Sequence, residues 1–166
     1  MSDDVVTGVA GYSFSPGDLE LARRREGISA FIRIKNGAQF LEATIRSHIM
    51  HFDEIVAVYN GCTDDTESIL KALRTEYGPR LRIFHYTDRV FPPGSDGHKN
   101  TAADHPSSMA NYSNFALAQT RFQTVTKLDD DHLAIEEPLR HLAASIRAGE
   151  QPSDELWAFS GLNLAP

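Results

Sequence analysis

The sequence has little of what disulfide-bonded, secreted or membrane-spanning proteins contain. Its 166 residues include one cysteine, Cys62, so no disulfide can form within the chain and nothing indicates an oxidising compartment. No stretch approaches the roughly 18 consecutive apolar residues of a membrane span, and the opening MSDDVVTGVAGYS lacks the apolar centre of a signal peptide. We therefore expect a cytoplasmic protein, and membrane association is not evident.

Basic residues are also scarce. The chain has 16 Lys and Arg against 23 Asp and Glu, which gives a formal net charge of −7. Such a chain lacks the basic face that neutralises polynucleotide phosphates, so we expect no nucleic acid polymer as a partner. The balance still permits one small anionic ligand, which needs only a local site or a bound cation.

Strand-like and helix-like segments alternate along most of the chain. Runs of β-branched and aromatic residues predict strands at 29–35, 54–59, 81–86, 124–128 and 156–159. Apolar residues at helical spacing predict helices at 38–50, between Asp64 and Gly78, at 108–119 and at 137–148. This alternation predicts an α/β fold with a mostly parallel open sheet and helices on both faces.

The parts of the chain outside this alternation predict its organisation. Residues 1–27 are weakly patterned and are expected to be an N-terminal extension, with a turn at 15–18 and a short helix at 19–25. Residues 28–166 are expected to form one α/β domain. Segment 91–107 is rich in Pro, Gly, Asp, His and Ser, which predicts a mobile loop over a site; His98 and Lys99 lie within it.

Three consecutive aspartates, Asp129, Asp130 and Asp131, follow the fourth predicted strand. Like charges this close repel each other, and a divalent cation removes the conflict. Mg²⁺ and Mn²⁺ prefer oxygen ligands, and Mg²⁺ commonly takes one or two carboxylates together with substrate phosphates. Side chains alternate at a strand end, so Asp129 and Asp131 can share a face. The triad therefore predicts a divalent-metal site that holds a diphosphate.

Two other interpretations of the triad exist. One is a solvated acidic turn that precedes the next helix. The other is a calcium-binding loop, which is excluded because Ala134 and Arg140 stand where its glycine and its bidentate glutamate are required.

The turn after the second strand has its own candidate residues. Asn60 offers a hydrogen-bond donor and an acceptor, which suits the edge of a base such as uracil. Asp64 stands where a helix N-cap is expected, with Glu67 three residues later, and helix N-termini favour anions. The alternative is an ordinary turn with an aspartate cap. Cys62 is interpreted as a small turn residue, since no neighbouring group marks it as a nucleophile.

Basic residues occupy two of the predicted strands. Arg33 and Lys35 flank Ile34 at the end of the first strand, and Lys127 lies in the fourth. They can meet phosphate or base, or they can form salt bridges with the acidic surface. In open parallel sheets ligands bind beyond the carboxyl ends of the strands. The ends of the first, second and fourth strands therefore predict one common site.

Two long segments carry a resemblance to a known family. The run GISAFIRIKNGAQFLEATIRSHIMHFDEIVAVYNGCTDDTESILKAL resembles the opening of family 2-type inverting glycosyltransferases of the GT-A fold. In that family a turn similar to VDNGSTDGT follows the second strand. NYSNFALAQTRFQTVTKLDDDHL resembles the family's helix–strand–DxD segment. The resemblance covers about residues 28–135.

The resemblance implies a GT-A, Rossmann-like nucleotide-binding half and a metal-dependent glycosyltransferase. Its donor would be a nucleotide-diphosphate sugar, expected to be a UDP-sugar, and its acceptor is unknown. Together with the strand-end residues, the resemblance implies that Asp129 and Asp131 bind Mn²⁺ or Mg²⁺. It also gives a nucleotide-binding set of Arg33, Lys35, Asn60, Asp64, Asn114, Lys127, Asp129 and Asp130.

The sequence departs from the family pattern at several places. Tyr59-Asn60 stands where the family often has Asp-Asp or Asp-Asn, and Gly37 replaces the usual Glu. The family's general base is an acidic residue downstream of DxD, but the candidates there are more simply helix or loop charges: Glu136, Glu137 and Glu155. No catalytic residue is therefore assigned, and 28–166 is expected to lack the acceptor-binding half.

Other functional classes fit less well. A non-catalytic nucleotide-binding module, or a fragment without its acceptor half, is the main alternative. A nucleotidyltransferase normally needs a Gly-rich phosphate loop near the N-terminus, which we do not find. A receiver-type domain clusters its aspartates after the first strand, where this chain has Arg33 and Lys35.

Overall fold

The computed structural model describes residues 6–20, 24–150 and 161–163. The strands are β1 (Val6–Val9), β2 (Arg25–Ile34), β3 (Glu54–Tyr59), β4 (Leu81–Tyr86), β5 (Phe122–Leu128), β6 (His132–Ala134) and β7 (Gly161–Asn163). The α-helices are α1 (Leu41–His48), α2 (Thr66–Tyr77), α3 (Asp96–Lys99), α4 (Met109–Ala118) and α5 (Glu136–Arg147). Two 3-10 turns lie at Pro16–Leu19 and Gly78–Arg80.

Five of the strands form one sheet in the order β1-β4-β3-β2-β5, and every neighbouring pair is parallel. Three of these strands carry candidate residues, and β2 is the middle one. Its Ile32 pairs with Ala57 of β3 and with Leu128 of β5. The carboxyl ends of β2, β3 and β5 therefore lie side by side. We call this side of the sheet the carboxyl edge.

Helices cover both faces of the sheet because side chains alternate along its strands. On one face Ile28, Ala30, Ile32 and Ile34 of β2 pack in a cluster with residues of α1, α2 and α5. On the other face Phe31 packs in a cluster with Tyr112, Phe115 and Ala116 of α4. The predicted α/β class, with a parallel open sheet and helices on both faces, is confirmed.

The sequence predicted β3 and β4 with the bounds that the structure has, and it placed α1, α2, α4 and α5 within a few residues. Both strands are rich in β-branched and aromatic residues, and β3 is buried along its whole length. The strand predicted at 156–159 lies outside the described residues. A different short strand, β7, pairs antiparallel with β6.

The N-terminal region differs from the prediction. Val6–Val9 form an edge strand parallel to β4, although this segment is in the predicted extension. The prediction of a helix at 19–25 is wrong at the two ends of this segment, which the structure describes. Leu19 is the last residue of a 3-10 turn, and Arg25 is the first residue of β2. An edge strand of four residues is stabilised by its neighbour's hydrogen bonds, which a sequence pattern does not reveal.

The irregular segment 91–107 is closed at its base. The Phe91 amide donates to the Ser107 carbonyl at 3.1 Å, and the Tyr86 hydroxyl donates to the Pro106 carbonyl at 2.8 Å. One helical turn, α3, lies inside it. Among the described helices, none is long and apolar enough to cross a membrane.

Candidate functional site

The turns that follow β2 and β3 are joined into one unit at the carboxyl edge. Asn36 Oδ1 accepts a hydrogen bond from the Thr63 amide at 2.8 Å, and the Gly37 amide donates to Thr66 Oγ1 at 3.0 Å. Lys35 Nζ donates to the carbonyl of Gly61. Asn36 has a φ of 55°, a left-handed conformation that asparagine tolerates better than most residues. These contacts fix two strand ends relative to each other.

Asp64 belongs to the same unit. Its two carboxylate oxygens accept from the Ala38 amide at 3.0 Å and from the Thr66 amide at 3.1 Å. Burial raises the pKa of Asp64, but the hydrogen bonds from Thr66 and Ala38 outweigh burial and lower the pKa overall. α2 begins at Thr66 with Asp65 as its N-cap, so the predicted cap position is wrong by one residue. Asp64 nevertheless satisfies a free N–H at the helix start.

The three aspartates occupy the turn between β5 and β6. Lys127 Nζ lies 2.5 Å from Asp129 Oδ1, so one of the carboxylates already has a cationic partner. Burial, followed by the charges of Asp131, Asp129 and Asp64, raises the pKa of Asp130 above its ordinary value. The strand ends of β3 and β5 therefore bring four carboxylates close enough to interact, as the parallel order requires.

Gly37 explains how Asp130 fits into this turn. A Cβ at position 37 would lie 2.4 Å from Asp130 Oδ2 and 3.0 Å from Ile34 Cγ2. The missing side chain therefore leaves the space that the Asp130 carboxylate occupies. A side chain at position 37 would therefore require Asp130 to move.

Asn60 lies at the end of β3, but its amide is engaged by the chain itself. Its Nδ2 donates to the carbonyls of Tyr86 at 2.7 Å and of Asp88 at 2.6 Å, and its Oδ1 accepts from the Val90 amide at 3.3 Å. Both amide donors are thus used to fix the segment after β4. A base that bonded to this amide would have to displace one of those contacts.

Arg33 faces α4. Its Nη1 donates to Ser113 Oγ at 2.7 Å and lies 3.0 Å from Met109 Sδ. Its Nε is buried and has no hydrogen-bond partner among the residues that the structure describes. Asn114 follows Ser113 on α4 and is half-buried. Arg33 and Asn114 are therefore both associated with the helix layer on the second face.

The predicted residues thus fall into two groups. The turns at the carboxyl edge bring together Lys35, Asp64, Lys127, Asp129, Asp130 and Asp131. The other group consists of Arg33 and Asn114, which lie at α4. Asn60 belongs to neither group, because its amide is bonded to the backbone at the end of β4. The sequence did not single out Thr44 and Ser47 of α1, which contact the aspartate turn.

No group of three or more His, Cys, Asp or Glu side chains is arranged to hold a metal ion by itself within the described residues. Mg²⁺ is commonly held by one or two carboxylates, with substrate phosphates and water completing its six ligands. A cation that joined the cluster would offset the charge repulsion that, after burial, raises the pKa of Asp130. The carboxylates of the acidic turn have the chemistry to share a cation that other ligands complete.

A cavity of about 370 Å³ lies at the opposite end of the sheet, beside the starts of β2 and β5. Its arginines are engaged in structural contacts. Arg24 donates to the carbonyls of Leu117 and Phe122, and Arg121 Nε donates to the buried Glu54 at 2.8 Å. This cavity is remote from the strand-end residues and is not the candidate site.

An open parallel sheet covered on both faces, with polar turns gathered at its carboxyl edge, is the architecture of α/β nucleotide-binding domains. Its particular form is the GT-A fold of glycosyltransferases. A crystal structure of S. aureus TarS 1–349 matches with a TM-score of 0.50 and 21% identity over 74% of this chain and 33% of that one. Another crystal structure of S. aureus TarS matches with a TM-score of 0.51 and 21% identity over 74% and 20%.

A third match is glucosyl-3-phosphoglycerate synthase from Mycobacterium tuberculosis, in complex with Mg²⁺ and UDP. Its TM-score is 0.35, with 23% identity over 76% of this chain and 41% of that one. At that TM-score it supports no inference about this chain. No family model and no curated protein matches the sequence. The chain spans a third or less of the TarS chains, and the likeness at 21% identity shows the fold.

Proposed function

We propose that this chain is the donor-binding half of a metal-dependent glycosyltransferase. It would bind a nucleotide-diphosphate sugar, a UDP-sugar in our hypothesis, at the carboxyl edge of the sheet. The observation that carries the proposal is the acidic cluster at the ends of β3 and β5. There the charges of Asp64, Asp129 and Asp131, together with burial, oppose ionisation of Asp130.

Electrostatics supports a cation at this place. Carboxylates that crowd together raise the free energy of the folded chain unless a positive charge joins them. Lys127 offsets Asp129 alone, and it is about half exposed, so the compensation that it supplies is small. A divalent ion bound by Asp129 and Asp131 would neutralise the charge of the departing diphosphate.

The chain's own residues would bind and orient the rest of the donor. Lys35 and Lys127 place positive charge beside the carboxyl edge, where a diphosphate would lie. The buried, unpaired Nε of Arg33 is the kind of orphaned donor that a ligand or a bound water accounts for. Asn60 fixes the segment after β4 through its side-chain amide.

The proposed reaction is transfer of the sugar to an acceptor. An oxygen nucleophile on the acceptor would attack the anomeric carbon while the bond to the diphosphate breaks. Transition-state stabilisation would come from positive charge at the leaving group. No described residue is assigned as the general base.

Calorimetry of UDP binding tests the donor site. We expect UDP to bind in the presence of Mn²⁺, and we expect chelation of the metal or Asp131→Ala to weaken binding at least tenfold. Glu76→Ala is the matched control, because it also removes one carboxylate but lies in the last turn of α2, on an exposed surface. Binding that is absent, or that ignores both chelator and Asp131→Ala, would refute the metal–diphosphate proposal.

Measuring UDP release from a panel of UDP-sugars separates an enzyme from a binding module. Turnover that requires Mn²⁺ and disappears in Asp131→Ala supports a glycosyltransferase. UDP binding without turnover of any donor assigns the chain to the alternative, a non-catalytic nucleotide-binding module.

A further inference from the structure

The turn that carries the three aspartates is short, and helix α1 is bonded to its centre and to the strand that follows it. The turn begins after Leu128, which is fully buried at the end of β5, and it ends where β6 begins at His132. Thr44 of α1 contacts the turn at Asp130, and Ser47, three residues later on α1, contacts β6 at Ala134. Residues at this spacing lie on the same face of a helix.

The first attachment is at the centre of the triad. Thr44 Oγ1 donates to the backbone carbonyl of Asp130 at 3.0 Å. Thr44 is fully buried, and the hydrogen bond to this carbonyl is partly shielded from water. Loss of that hydroxyl would leave the carbonyl without this donor, a situation that buried polar groups avoid.

The second attachment follows the triad. The Ala134 amide donates to Ser47 Oγ at 3.2 Å, and the Ser47 hydroxyl donates to the Thr44 carbonyl at 3.0 Å. His48 Nδ1 also lies 2.8 Å from that carbonyl, and since a carbonyl only accepts, Nδ1 carries the proton. The contacts therefore form a connected network, and hydrogen bonds in such networks reinforce one another.

The helix that holds the turn is itself firmly fixed. Leu41, Ile45 and Ile49 have no exposed surface and pack into the core beneath β2. On the opposite side of the turn, the absent side chain of Gly37 leaves room for the Asp130 carboxylate. The turn is thus held between a rigid helix and the loop after β2.

We propose that Thr44 and Ser47 are positioning residues that fix the aspartate turn in the geometry required to bind a cation and a diphosphate. This inference rests on the proposed function for its effect on binding. It acts through the backbone of Asp130 and Ala134 and not through contact with a ligand. Sites of this kind depend on supporting residues that hold their ligands within a fraction of an ångström.

The test compares Thr44→Val, which is nearly isosteric and removes the hydroxyl, with Thr44→Ser, which keeps it. Ser47→Ala removes the second attachment at a half-buried position, where correct folding is expected. Each variant of the full 166-residue chain is measured for Mn²⁺-dependent UDP affinity by calorimetry. Amide hydrogen exchange of residues 130–134 is measured in the metal-free protein, and urea unfolding reports global stability.

We expect Thr44→Val and Ser47→Ala each to weaken Mn²⁺-dependent UDP binding by roughly three- to tenfold, the worth of one hydrogen bond. Exchange within residues 130–134 should accelerate by a similar factor, while exchange in β3 should change only as much as global stability does. Thr44→Ser should restore both affinity and protection.

The outcomes separate this inference from the proposed function. Wild-type protein that binds no UDP with Mn²⁺ refutes the donor-binding proposal, and the exchange data still decide whether the two hydroxyls fix the turn. Wild-type protein that binds UDP, with Thr44→Val and Ser47→Ala unchanged in affinity and in exchange, overturns the positioning proposal. A uniform rise in exchange across the whole sheet also overturns it, because the hydroxyls would then serve general stability alone.

Discussion

The close approach of Gly37 to Asp130 gives a sharp prediction for Gly37→Ala. The added Cβ would lie 2.4 Å from Asp130 Oδ2, which is about 1 Å short of ordinary van der Waals contact. It would also lie 3.0 Å from Cγ2 of Ile34, a core residue that is 1% exposed. Rotation of Asp130 can relieve the first contact, but the second requires movement in a packed strand.

The size of the effect follows from these contacts. Overpacking typically costs about 1–3 kcal/mol, and the reduced freedom of the unfolded chain returns about 0.4–1 kcal/mol for a Gly-to-Ala change. We therefore expect a net loss of about 1–2 kcal/mol in the free energy of unfolding. For a chain of this size that corresponds to a fall of roughly 2–8 °C in Tm. Mn²⁺-dependent UDP binding should weaken as well, because Asp130 is displaced.

Urea unfolding and calorimetry of Gly37→Ala check this prediction. Gly8→Ala is the matched control, since a Cβ at position 8 meets nothing within 4 Å. Asp130→Ala supplies a double-mutant cycle, which separates the part of the cost that comes from the carboxylate from the part that comes from Ile34; the Ile34 part should remain. A Gly37→Ala variant that is as stable as Gly8→Ala and binds UDP like the wild type would contradict the predicted clash at position 37.

Three further predictions concern polar groups inside the fold. Burial raises the pKa of Glu54, but hydrogen bonds from Ser29 and Arg121 outweigh burial and lower the pKa overall. The stabilising effect of the Glu54 carboxylate is therefore complete above the unfolded pKa of about 4.3, and it is lost as pH falls through the lower folded pKa. Urea unfolding between about pH 3 and pH 7 should show Glu54→Gln to be about 2–3 kcal/mol less stable at neutral pH, with a flatter acid limb; parallel curves would contradict this. Asn60→Ala leaves two carbonyls and one amide without a partner and should cost about 2–3 kcal/mol in the same assay, whereas unchanged stability would mean that water replaces those bonds. Burial raises the pKa of Asp130, so ionisation of this carboxyl destabilises the fold above the folded pKa and has no effect below the unfolded pKa of about 3.9. Without metal, Asp130→Asn should have a higher Tm than the wild type near pH 7 and the same Tm near pH 3. A lower Tm of the variant at neutral pH would show that the fold stabilises the carboxylate.

The sequence by itself determined the fold class and most of the sheet. β3 and β4 are predicted with their observed bounds because buried strands must be rich in β-branched and aromatic residues. Helices such as α2 reveal themselves by the spacing of their apolar residues. The order of motifs along the chain then predicted that the aspartates lie at a strand end, on the same edge of the sheet as the turn after β3.

Only the tertiary structure decided what each candidate side chain contacts. Asn60 has the chemistry to read a base, yet its amide bonds to backbone groups that follow β4, up to 30 positions away in the sequence. Thr44 belongs to the packing face that the periodicity of α1 predicts, yet its hydroxyl holds the Asp130 carbonyl, 86 positions away. Periodicity reports which face of an element is buried, because burial depends on the residue's own side chain. It does not report a hydrogen-bond partner, because the partner is brought there by the packing of elements that are remote in sequence.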